Sequence, residues 1–364
     1  MLSIAISALI YTLLMISCQL FYKRRISLIS VPLVFAVLVI ISTLSIANFE
    51  LSIFAQKFAS QFSFDWYLGR ESPLDNSTFA IPAIFNSLAF AITQSWSAAI
   101  GVNVAIVVSV FYFVYTRNRR LAYFALAPSI VNFSMFALRD PLIYLCFFIY
   151  TYLILKCGRS LLYIATIGFV GISLGLRPEN IVIILGAFVL SYYFEISSKV
   201  VRVGFLFLAL STLVLVTPLI PRLLGLDISI SIVDFYGAID SFYISRATRW
   251  VGEDGGGSNI LGGALVDLPL YLRYPIQVVS FFLLPLPWEV TSLSMALAFC
   301  DSLVFVYLSW RFHLRASFKA KALFWIYVLA FAFFMSNYGN ALRMRMPVYG
   351  VLIAGLLRSE HNRS

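Results

Sequence analysis

Long apolar runs recur along the chain, parted by short polar connections. They cover residues 2–22, 28–47, 98–116, 121–138, 141–156, 160–176, 181–197, 203–220, 290–310, 322–338 and 346–358. Runs of this kind are read as bilayer-crossing helices. The pattern predicts an all-α, polytopic membrane protein with eleven transmembrane helices, a single domain over residues 1–364. The first run lacks a basic leader and a small-residue cleavage site, and its basic cluster follows it. It reads as a membrane helix rather than a signal peptide.

Two connections are long, at 48–97 and 221–289. In the first, Asn48 to Phe64 suits an interfacial helix. The 79–97 part is apolar but interrupted by Pro82, Asn86, Thr93 and Gln94, which suits a re-entrant or surface helix. The second carries a Gly-rich stretch at 252–259 and then Leu284-Pro285-Leu286-Pro287-Trp288-Glu289. Long loops with a Gly-rich hinge are where binding sites and lids are expected.

Composition agrees: 61% of residues are hydrophobic and 12% are charged. Mean hydropathy is +0.93. These values exclude an ordinary soluble enzyme and a disordered chain. The net charge of +10 points to nucleic acid only if its distribution is ignored. Sixteen of the 26 basic residues sit in alternate connections and in the tail, opposed there only by Glu195 and Glu360. They include Lys23 to Arg25, Arg117 to Arg120, Lys156, Arg202, Arg311 to Lys321 and Arg358. The positive-inside rule puts those connections in the cytoplasm, with the N-terminus outside and the C-terminus inside. The charge excess is therefore a matter of orientation, and no nucleic-acid partner is expected. Cys18, Cys146, Cys157 and Cys300 all fall outside the outer loops, so no disulfide framework is expected. His313 and His361 fall on the cytoplasmic side, which leaves no outer His for catalysis.

The outer turns hold the candidate chemistry. Leu138-Arg139-Asp140-Pro141, Leu176-Arg177-Pro178-Glu179-Asn180 and the 337–347 stretch with Arg343, Arg345 and Pro347 each set Arg next to apolar helix. Arg in that position is costly and runs against the charge bias. Its planar fork of donors matches phosphate oxygens, and a neighbouring carboxylate supplies an acceptor for a proton. The plainer account is snorkelling to headgroups or a local ion pair. Further outer candidates are Asp65 and Glu71 as a general base, and Arg246, Arg249 and Arg273 for an anion. Glu253 and Asp254 are candidates for a cation or sugar hydroxyls. Trp66, Trp250 and Trp288 are candidates for stacking on sugar rings. Asp301 lies within a span, where an acid needs a partner or a proton path. No nucleotide, zinc or nucleophile-elbow motif is present, and no metal or cofactor is expected.

These turns, with Leu284 to Glu289 and Arg343-Met344-Arg345-Met346-Pro347, carry a resemblance. The chain resembles the Wzy-type O-antigen and capsule repeat-unit polymerases, within or near the GT-C-like membrane glycosyltransferases. The layout of many spans and two large outer loops extends it over nearly the whole chain. The resemblance implies residence in the bacterial inner membrane and an undecaprenyl-pyrophosphate-linked glycan as substrate. It implies glycosyl transfer at the periplasmic face, with membrane lipids and a chain-length regulator protein as partners. Arg139, Arg177, Arg343 and Arg345 would then hold the pyrophosphate, and Glu179, Asp140, Asp65 or Glu71 would serve as base. The alternatives are a transferase using a polyprenyl-phosphate sugar and a flippase or transporter.

Overall fold

The computed structural model describes residues 97–134, 139–156, 159–174, 176, 179–196, 198, 200–204, 268–290, 293–333 and 338–361. Among them the chain is helical and contains no strand. The α-helices are α1 (Ser97–Tyr115), α2 (Arg119–Ala122), α3 (Pro128–Ser134), α4 (Asp140–Lys156) and α5 (Arg159–Leu174). They continue with α6 (Glu179–Glu195), α7 (Leu270–Leu283), α8 (Leu293–Arg315), α9 (Phe318–Phe333) and α10 (Tyr338–His361). Tyr123–Leu126 and Pro287–Glu289 form 3-10 turns, and the Leu284–Pro285 peptide bond is cis. Among the described residues one helix, Met295–Arg315, is by length and composition long and apolar enough to cross a membrane. Asn103–Tyr115 and Tyr163–Ser173 are shorter apolar helices.

Helices α4, α8 and α10 run in the same direction. Arg343 meets Asp140 near the starts of α10 and α4, and a few turns on Gly350 abuts the backbone at Tyr144 and Phe148. Arg345 meets Asp301 of α8, and further along Gly355 abuts Phe312. Helix α9 runs the other way. Its Phe324, near its start, lies 5.4 Å from Phe312 near the end of α8, and its Tyr327 lies 4.9 Å from Phe147. Tyr150 of α4 bonds Thr166 of α5 and the Ile184 carbonyl of α6 at 3.1 Å each, tying that hairpin together.

This alternation sorts the charges. The ends of α1, α4, α8 and α10 and the start of α9 share one end of the bundle. Arg117, Lys156, Arg315, Lys319 and Arg358 stand there. At the opposite end stand Arg139, Asp140, Arg343 and Glu289.

Three sequence expectations change. The span expected at 121–138 is not one helix. α2, a 3-10 turn and α3 replace its described part, because Pro128 forces Ala127 out of the helical region (φ −55°, ψ 148°). The helix expected at 346–358 starts at Tyr338, so Arg343 and Arg345 lie on a helix rather than in a turn. Proline favours the first turn of a helix, yet here the helix runs through Pro347. Residues 270–283, expected within an outer loop, form α7, which packs on α8 and α9.

Candidate functional site

Helix α10 carries two of the candidate arginines, Arg343 and Arg345, and its geometry separates them. At about 100° per residue, positions two apart face opposite sides. Arg343 points to α4 and Arg345 points to α8.

On the α4 side, Arg343 donates from Nε (3.2 Å) and Nη2 (2.8 Å) to one oxygen of Asp140, Oδ2. Asp140 is 2% exposed and Arg343 is 27% exposed, so the acid lies beneath and the guanidinium reaches outward. Asp140 opens α4 with Pro141 behind it, and an acid in a first turn is favoured by the helix dipole. The neighbouring Arg139 donates from Nη1 to the Leu176 carbonyl at 2.7 Å. Leu176 directly precedes Arg177. Two contacts therefore join three Arg-bearing segments that lie far apart in sequence.

On the α8 side, the charges are closed off. Arg345 and Asp301 are both fully buried, 3.4 Å apart. Arg345 donates from Nε to the Phe281 carbonyl, from Nη1 to Ser302 Oγ and from Nη2 to the Leu284 carbonyl, each at 2.7 Å. Its guanidinium also lies 6.0 Å and 5.5 Å from the Phe281 and Phe305 ring centroids, within cation–π range. Asp301 Oδ1 accepts from the Ser129 N–H at 2.9 Å and from Tyr349 Oη at 3.2 Å. The Ser129 N–H belongs to the first turn of α3, where backbone donors lack helical partners. A buried ion pair persists only when its remaining donors and acceptors are also met, and here they are. This cluster joins α3, α7, α8 and α10.

Arg273 is buried on α7, and Trp288 stands 78% exposed on the turn after it. Glu179 lies in the first turn of α6, and its side chain is outside the described residues. Asp65, Glu71, Arg177, Arg246 and Arg249 lie outside them too, as do the 48–96 part of the first large loop and residues 221–267 of the second.

Sequence reasoning missed Ser129, Ser302 and Tyr349. Tyr349 was accessible: it stands one turn after Arg345 on the same helical face. Ser129 and Ser302 bear no such signature, since their partners are distant in sequence. Compared with protein-family models, curated proteins and solved structures, the chain finds no match.

Proposed function

We propose that the chain is a polytopic inner-membrane protein with eleven spans that transfers glycosyl groups at the periplasmic face. Its substrate on this proposal is undecaprenyl-pyrophosphate-linked oligosaccharide, and its product a longer O-antigen or capsule chain. A lipid carrier keeps its pyrophosphate at headgroup depth. The observation that carries the proposal is the Arg139–Asp140–Arg343 cluster, at the bundle end opposite the cytoplasmic-type basic residues. Asp140 orients Arg343, and the outward parts of Arg343 and Arg139, with Arg177, hold the pyrophosphate.

In the reaction, the acceptor hydroxyl oxygen attacks the anomeric carbon of the donor sugar. The bond to the pyrophosphate breaks, and the leaving oxygen takes the electron pair. Arginine stabilises that developing charge, which is the main electrostatic demand of the step. A carboxylate takes the hydroxyl proton; Glu179, Asp65 and Glu71 are the candidates. Asp140, already engaged by Arg343, serves as the positioning residue. Arg345 is assigned to holding the fold rather than the substrate.

The test is Arg343→Ala and Arg177→Ala in a strain that makes the polymer. Loss of long-chain polysaccharide at normal protein level is expected, and unchanged chain length overturns the proposal. The broken α2–α3 segment and the deep Asp301–Arg345 pair favour one second reading, a flippase, since transporters use interrupted helices and deep charges. The two part on where single repeat units accumulate: on the outer face for a polymerase, on the inner face for a flippase.

A further inference from the structure

Helix α7 lies within the stretch expected as the second large outer loop, yet its contacts descend along α9. Tyr274 Oη donates to the Leu329 carbonyl at 2.8 Å. Phe282 lies 6.3 Å from Phe324 and 6.1 Å from Trp325, further from the α9 C-terminus. α7 thus runs antiparallel to α9, away from the end at which α8 and α10 begin. Its last turn stops level with Ser302, whose Oγ donates to the Leu284 carbonyl at 2.6 Å. Met295, where the membrane-length part of α8 starts, lies about 10 Å of helix before Ser302 at 1.5 Å per residue. From Leu284 the chain goes back through Pro287–Glu289 to the start of α8 at Leu293.

A helix C-terminus leaves carbonyls without intrahelical donors. Inside hydrocarbon no water is present to satisfy them, so a helix end is tolerated there only if protein groups do so. The Phe281 carbonyl accepts from Arg345 Nε, and the Leu284 carbonyl accepts from both Arg345 Nη2 and Ser302 Oγ. The outward face of α7 is apolar: Tyr271, Leu272, Ile276, Val279 and Leu283 are 75%, 49%, 38%, 57% and 44% exposed. Its Arg273 and Gln277 are turned inward and buried. This is the reverse of a helix lying in water, and acyl chains are the occupant such a face fits.

We infer that α7 and the Leu284–Glu289 turn form a re-entrant hairpin. It enters the bilayer from the outer face, turns within the hydrocarbon and leaves by the same face. Lipid acyl chains cover Leu272 to Leu283, and Arg345 with Ser302 caps the helix end at depth. The return limb carries the exposed Trp288 towards the outer surface. This rests on the membrane reading of α8 to α10 given above.

The test places single nitroxide labels at Tyr271, Ile276, Val279, Leu283 and Trp288. It uses the full chain with its four cysteines replaced, in vesicles of phosphatidylethanolamine and phosphatidylglycerol. Collisions with oxygen are compared with collisions with a water-soluble nickel chelate. Leu303 and Trp310, exposed on α8, serve as depth references. The oxygen-to-nickel ratio is expected to rise several-fold from Tyr271 to Leu283, reach the value at Leu303, and fall again at Trp288. A flat α7 profile beside a deep Leu303 overturns the hairpin alone, as does a ratio that rises towards Tyr271. Nickel access at Leu303 overturns the membrane reading, and the hairpin with it.

Discussion

Arg343 and Asp140 are 203 residues apart in sequence and 2.8 Å apart in space. Their contact fixes the start of α10 against the start of α4. It also leaves the acid buried and the base reaching outward, an order suited to an anion arriving from outside.

Removing one partner of that pair is expected to cost more than removing both. Arg343→Ala leaves Asp140 buried without its two donors, a loss of about 1.5–3 kcal/mol for charged hydrogen bonds. Arg343→Ala with Asp140→Ala recovers part of it. Thermal unfolding in detergent of the two single variants and the double variant measures the coupling. Additive effects would deny the pair an energetic role.

The buried pair on the other face behaves differently. Arg345→Ala leaves Asp301 without its counter-charge and the Phe281 carbonyl without the guanidinium donor, while the Leu284 carbonyl keeps Ser302 Oγ, and on the order of 3–5 kcal/mol is expected to be lost. Asp301→Asn keeps an oxygen for the Ser129 N–H and is expected to be milder. Folded yield after heating reads the difference, and equal losses would contradict the bonding pattern.

Gly350 sets how closely α4 and α10 approach. A Cβ there would stand 2.9 Å from Phe148 N and 3.0 Å from the Tyr144 oxygen, both backbone atoms. Gly350→Ala is expected to push the helices apart at a cost of about 1–3 kcal/mol, as overpacking does. It should also disturb the Asp140–Arg343 contact and, on the proposed function, shorten the polymer. Gly168 and Gly171 on α5 have open space around a Cβ, so alanine there is expected to leave stability unchanged or slightly raised. Melting temperatures of the three variants decide.

Trp288 offers a cleaner separation of function from folding. With its side chain mostly exposed, Trp288→Ala is expected to change stability by less than about 0.5 kcal/mol. On the proposed function, a fall in polymer length at normal protein level would support a sugar-stacking role. Unchanged length would remove it.

Among the described residues the helical character was legible in the apolar runs, and the placing of Arg117, Lys156, Arg315, Lys319 and Arg358 at one end was legible in alternate connections. The Arg139–Asp140–Pro141 start was readable because acid and proline both favour a first helical turn. The start of α10 was not, because proline at a helix start is only a preference, and the largely buried Ala341–Met346 stretch carries the helix through Pro347. The break at Ala127 was missed because its flanks are apolar throughout, so hydropathy overrode the local effect of Pro128. The division of Arg343 from Arg345 follows from helical spacing alone, but only once that stretch is known to be helix. The partner of Asp301, 44 residues away, is a tertiary fact that no local pattern encodes.

The Asp301–Arg345 cluster also bears on how the protein is made. Synthesis runs from N- to C-terminus, so α3 and α8 leave the ribosome before α10 exists. Asp301 then has the Ser129 N–H but not its arginine, and of the two α7 carbonyls that Arg345 serves, only that of Leu284 has another donor, Ser302 Oγ. Helix α10 brings the guanidinium that serves all of them at once. Until it arrives, a nascent chain carries an uncompensated acid among apolar helices.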